Sequence, residues 1–133
     1  MELLAAGPDA KKLGNLEVGE TKRALTPDAV VLFYPYCGFL NRSGNKPWSF
    51  QGPLLLVTAE NDSMGSLEAC RKTIEGGRPG MAGVESVVYP GVTHAFDEES
   101  QKGGSAFVYN PEASAKAEAL FSEFIGEQVA RLK

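Results

Sequence analysis

One histidine, His94, and two cysteines, Cys37 and Cys70, are all the chain has of the residues that most often bind metals. With a single imidazole and no ligand-spaced cysteine pair, a zinc centre has too few donors, so neither a metal nor another cofactor is expected. Two cysteines cannot make a disulfide scaffold, and without C-x-x-C spacing a thioredoxin-like motif is excluded. They leave open one disulfide, with the oxidising compartment it would imply, or two buried thiols. No apolar run is long enough to span a bilayer, and the N-terminus lacks the basic start and long apolar stretch of a signal peptide. No membrane partner is therefore expected, and the compartment is not written in the chain. Basic charge is scarce as well. Thirteen Lys and Arg against 17 Asp and Glu leave a formal charge of −4, and the basic residues form no stripe, which argues against nucleic acid as a partner.

The 133 residues, 43% of them hydrophobic, suffice for the core of one domain spanning 1–133. Glu2–Ala6 favours helix and stops at Gly7-Pro8, and a polar connector follows to Pro27. Three largely apolar runs come next: Ala29–Tyr34, Leu54–Ala59 and Val84–Tyr89. Continuity rather than alternation is the pattern of strands covered on both faces, as parallel strands are. Between the second and third runs, Leu67, Cys70 and Ile74 are spaced for one buried helical stripe over residues 65–75, ended by Gly76-Gly77. Near the C-terminus, Asn110, Pro111 and Glu112 spell a helix start, and Ala113, Ala117, Leu120, Phe121, Phe124, Val129 and Leu132 repeat along one expected face. Strands alternating with helices predict an α/β fold with three parallel strands and flanking helices.

In such a sheet the loops after the strands gather at one edge, where open α/β folds place their chemistry. Asp62 follows the second strand and His94 the third. An aspartate that accepts one imidazole N–H sets the tautomer and stabilises the imidazolium formed when the other nitrogen takes a proton, which is the base half of a nucleophile–His–Asp triad. Asp62 reads equally well as the cap of the helix that follows it, and His94 as a loop histidine with no chemical task. Ser63, in Asn61-Asp62-Ser63-Met64-Gly65, is a weak nucleophile candidate, since Asn replaces the small residue that a strained elbow needs. Cys37 follows Pro35-Tyr36 and opens no helix, so it too is a poor nucleophile. The aromatic residues Tyr36, Phe39, Trp48 and Phe50 read first as loop packing and second as a pocket lining.

Three segments carry a family resemblance: Phe33-Tyr34-Pro35-Tyr36-Cys37, Pro53–Asp62, and Val88-Tyr89-Pro90-Gly91-Val92-Thr93-His94-Ala95-Phe96-Asp97. Over residues 28–133 the chain resembles the C-terminal part of the dienelactone hydrolase family, whose members cleave esters and lactones with a Cys or Ser nucleophile on an α/β-hydrolase sheet. The resemblance implies a partial α/β-hydrolase sheet, a small ester or lactone as substrate, Asp62 as the triad acid and His94 as its base. It also implies an upstream strand with a G-x-C/S-x-G elbow, and neither is present, so residues 1–27 are expected to hold a remnant helix and connector. Two functions follow. One is an ester or lactone hydrolase to which this chain supplies Asp and His. The alternative is a non-catalytic fragment or interaction module that keeps the half-sheet and associates, with itself or a complementing chain, along the Ala29–Tyr34 edge.

Overall fold

In a computed structural model the described residues are 27–38, 48, 50–65, 67–100 and 104–133. The helix expected over residues 2–6, most of the connector, and Phe39 lie outside them. Strand β1 (Val30–Phe33), β2 (Leu54–Asn61), helix α1 (Leu67–Glu75), β3 (Val84–Thr93) and helix α2 (Pro111–Arg131) follow in chain order, with short 3₁₀ turns at Pro79–Met81 and Gly104–Ala106. The strands form one sheet in the order β1-β2-β3, and both pairings are parallel.

The central strand explains the layering. Successive side chains of a strand point to opposite faces, and β2 is apolar on both. Leu54 and Leu56 join Val30, Leu32, Trp48, Phe50, Cys70 and Ile74 in a core on the α1 side. Leu55, Val57 and Ala59 join Tyr89, Val92, Phe96, Ala113, Ala117 and Phe124 in a second core on the α2 side. Leu54 through Val57 are fully buried, which is why this run shows no polar alternation. Gly77, just past α1, lets the backbone of Trp48 lie against it, since a Cβ there would collide with the Trp48 carbonyl. Trp48 in turn donates its indole N–H to the Phe50 carbonyl, so both aromatics pack in the core rather than line a pocket. Tyr36 is exposed.

Helix α2 begins as its sequence announces: the Asn110 side chain accepts from the Ala113 N–H at 2.9 Å, Pro111 takes the first turn, and Glu112 lies beside the positive end of the dipole. Its buried face is narrower than expected. Ala113, Ala117, Phe124 and Gln128 are buried and Leu120 partly so, whereas Phe121, Val129 and Leu132 are exposed. At 3.6 residues per turn Phe121 stands about 100° round from Leu120, and only the stripe spaced by three and four meets the sheet.

Strand β3 is longer than the sequence suggested, running four residues past Tyr89 through Pro90 and Gly91 to Thr93. The register is regular from Leu54↔Val84 to Ala59↔Tyr89, then shifts, so that Asn61 pairs with Thr93. The two extra residues are absorbed by a bulge around Gly91, whose φ is +68° and whose N–H donates to the Glu60 carboxylate at 2.7 Å.

Cys37 and Cys70 form a disulfide with Cα atoms 5.0 Å apart, which selects one of the two readings left open by the sequence. The bond ties the segment after β1 to the middle of α1. It closes a loop over a separation of 33 residues, for which the chain-entropy model gives about 3–4 kcal/mol of stabilisation. The double variant Cys37→Ala/Cys70→Ala should lose stability of that order in urea unfolding, and reductant should have no further effect on it. An unaltered chain whose unfolding midpoint is the same with and without reductant would contradict the linkage.

Candidate active site

The site lies where β2 and β3 end. Because Asn61 and Thr93 are register partners, the next residues, Asp62 and His94, leave neighbouring strands side by side. Adjacent strands are about 4.8 Å apart, within reach of a carboxylate and an imidazole. The His94 Nδ1–H lies 2.9 Å from Asp62 Oδ2 and 3.0 Å from Oδ1. An ionised carboxylate only accepts, so the proton of this bond belongs to Nδ1, and the neutral imidazole then carries its lone pair on Nε2. The Asp62 side chain is 5% exposed and that of His94 20%. The pair is thus shielded on the acid's side and reachable on the base's.

Asp62 is held by more than the histidine. Its Oδ1 also accepts the backbone N–H groups of Met64 and Gly65, each at 2.8 Å, in the turn that leads into α1. The cap-like role and the pairing with His94, which the sequence posed as alternatives, are carried by one carboxylate. The following turn is tight. A Cβ at Gly65 would stand 3.2 Å from both Asp62 Oδ2 and the Pro35 carbonyl, so a side chain there would press on the acid itself.

His94 is fixed from the other direction by the turn that carries it. Ala95 has φ +53°, Phe96 is fully buried against Tyr89 and Tyr34, and the Asn110 N–H donates to the Phe96 carbonyl at 2.8 Å. The Val108 N–H donates to Thr93 Oγ1 at 2.8 Å, holding the approach to α2 against the end of β3. Two aromatic rings flank the imidazole. The Tyr34 ring centroid is 4.5 Å away with planes tilted by 59°, and that of Phe107 is 5.6 Å away, edge to face.

Three of these contacts were not foreseen from sequence: Tyr34, read only as the end of a strand; Phe107, in a segment with no periodicity; and Asp97, which accepts the Tyr34 hydroxyl at 2.7 Å. Burial, that bond and the nearby charges of Asp97, Glu98 and Asp62 push the Tyr34 phenol above its ordinary value, so it stays a donor at any physiological pH. The weaker nucleophile candidates do not converge on the imidazole. Ser63 is exposed and makes no hydrogen bond to His94 among the described residues, and Cys37 is consumed in the disulfide. Among the described residues no group of three or more His, Cys, Asp or Glu is arranged to hold a metal ion, and no helix is long and apolar enough to cross a membrane.

Residues 14–129 match the family described as dienelactone hydrolase family. A solved structure assigned to a dienelactone hydrolase from Klebsiella pneumoniae subsp. pneumoniae MGH 78578 is similar at 21% identity and a TM-score of 0.44, over 57% of this chain and 30% of that one. This chain thus spans under a third of that protein. A search of curated proteins gave no match.

The double task of Asp62 separates two substitutions. Asp62→Ala strips the acceptor from two backbone N–H groups and should cost about 1–2 kcal/mol in urea unfolding, whereas Asp62→Asn keeps an acceptor and should cost less than half of that. Equal losses would mean that the turn does not depend on this carboxyl oxygen.

Proposed function

The chain belongs to the dienelactone hydrolase family, and from that premise we propose that it supplies the acid, Asp62, and the base, His94, of a nucleophile–His–Asp triad that hydrolyses carboxylic esters or lactones. The observation that carries the reading is the paired carboxylate and imidazole at adjacent strand ends, with Nδ1 engaged and Nε2 left for the reaction.

The chemistry follows from that assignment. Nε2 takes the proton of a Ser or Cys nucleophile as its oxygen or sulfur bonds to the substrate carbonyl carbon. The Asp62 carboxylate stabilises the imidazolium that results. The imidazolium then gives its proton to the leaving alkoxide, the C–O ester bond breaks, and an acyl-enzyme remains. Water, deprotonated by the same Nε2, attacks the acyl carbon and releases the acid and the nucleophile. In a lactone the leaving alkoxide stays on the same molecule, so the product is a hydroxy acid.

The 133 residues contain no G-x-C/S-x-G segment. The nucleophile is therefore assigned to a strand that pairs with the outer edge of β1, since β1 pairs with β2 alone among the described strands and ends beside the imidazole at Tyr34. The same edge supports the second reading, an interaction module that pairs with itself or with a complementing chain. An unpaired strand edge offers a row of N–H and C=O groups to any extended segment.

Hydrolysis of an activated aryl ester separates the readings. Turnover above buffer by the chain, alone or with a complementing partner, should fall to background in His94→Ala and by about 10⁴-fold in Asp62→Asn. Turnover that survives His94→Ala rules out the triad. Light scattering should show a dimer or a heteromeric complex, and a dilute, cooperatively folded monomer would count against pairing along β1.

A further inference from the structure

Tyr34 stands in an expensive conformation. Its φ of +34° lies in the left-handed region, which a residue with a Cβ enters only when its surroundings require it. Ala95, directly after His94, is the second such residue at this site. The two strained points are joined, because the Tyr34 hydroxyl donates to Asp97 Oδ1, at the far end of the histidine turn, over 63 positions of sequence. The sheet order puts β1 and β3 on either side of β2, so this bond crosses the end of β2, where Asp62 stands. The imidazole is thereby bounded by Asp62 at Nδ1, by the Tyr34 ring, and by the edge contact with Phe107.

We propose that Tyr34 and Asp97 form a strut that positions His94, tying the end of β1 to the histidine turn so that Nδ1 stays on Asp62 and Nε2 is kept for the nucleophile's proton. The inference rests on the reading of His94 as the base. Neither residue touches a reacting atom, so both are positioning residues. The bond suits the task for two reasons. A phenol–carboxylate hydrogen bond is charge-assisted and short, and the aromatic ring that delivers it also packs on the imidazole, so one side chain fixes both the turn and the ring plane. The backbone N–H of Tyr34 donates to the Val57 carbonyl at 2.6 Å, which anchors the strut's base in the sheet.

Because His94 is the only histidine, the chain labelled with nitrogen-15 gives the ring signals of one imidazole, and solvent exchange of its Nδ1 proton reports how firmly Nδ1 is held on Asp62. Tyr34→Phe keeps the ring and loses the bond, and Asp97→Ala loses the same bond from the other side. Each should speed exchange about tenfold. The double variant should be no faster than either single one, because both remove one interaction. Asp97→Asn keeps an acceptor and should restore most of the protection. Unchanged exchange in both single variants, or additive acceleration in the double, overturns the strut. If Tyr34→Phe does not fold, the contrast between Asp97→Ala and Asp97→Asn, in a half-exposed turn, decides the matter. Asp62→Asn separates this inference from the one beneath it. Fast exchange there with no change in Tyr34→Phe removes the strut and leaves the acid–base pair, whereas no change in either removes both.

Discussion

Asn61 and Thr93 lie side by side at the ends of β2 and β3, and that register decides whether a carboxylate and an imidazole 32 residues apart can meet. Up to Ala59↔Tyr89 the two strands are in simple step. Without the bulge at Gly91, β3 would reach the edge of the sheet two residues early and His94 would overshoot Asp62. Gly91 makes the bulge affordable through its positive φ, and the Glu60 carboxylate takes up the N–H that the bulge frees. The pairing on which the proposed chemistry depends is thus a consequence of backbone geometry several residues upstream.

Around that register one of the two apolar cores immobilises the same corner. The second core, formed by Leu55, Val57, Ala59, Tyr89, Val92 and Phe96 against α2, lies directly beneath the histidine turn. Phe96 locks the turn from below, and the Asn110 segment ties it to the start of α2. On the opposite face the disulfide joins the segment after Tyr34 to α1, the helix that Asp62 introduces. Acid and base are therefore each carried on a loop whose two ends are fixed in packed elements. That is how a loop residue keeps a geometry good to a fraction of an ångström.

Much of this was legible in the sequence, for identifiable reasons. The run 54–59 is continuous and apolar because β2 is covered on both sides, whereas β3, with Glu85 and Val88 exposed, is covered only in part, and Asn110-Pro111-Glu112 announces α2 because those residues satisfy its first turn. Asp62 and His94 could be paired in advance because parallel strands deliver their following loops to one edge. The length of β3 was hidden because Pro90 and Gly91 ordinarily end strands, and here they form a bulge inside one. Phe121, Val129 and Leu132 share the helical repeat yet are exposed, because hydrophobicity alone does not tell a core stripe from the neighbouring one. The Tyr34–Asp97 contact was invisible for a different reason. It depends on the handedness of two residues with positive φ, for which a tyrosine and an alanine carry no sequence signal.

The proposed chemistry depends on where the proton sits on His94. The central claim is that Asp62 holds the neutral imidazole in the Nδ1–H form, with Nε2 bare to act as base. Nitrogen-15 chemical shifts of the single imidazole, followed above the pH at which it loses its charge, read the tautomer directly. The Asp62–His94 pairing predicts a protonated, pyrrole-like Nδ1 and an unprotonated, pyridine-like Nε2, with the proton moving toward Nε2 when Asp62 is replaced by alanine. A proton found on Nε2 in the unaltered chain would contradict it.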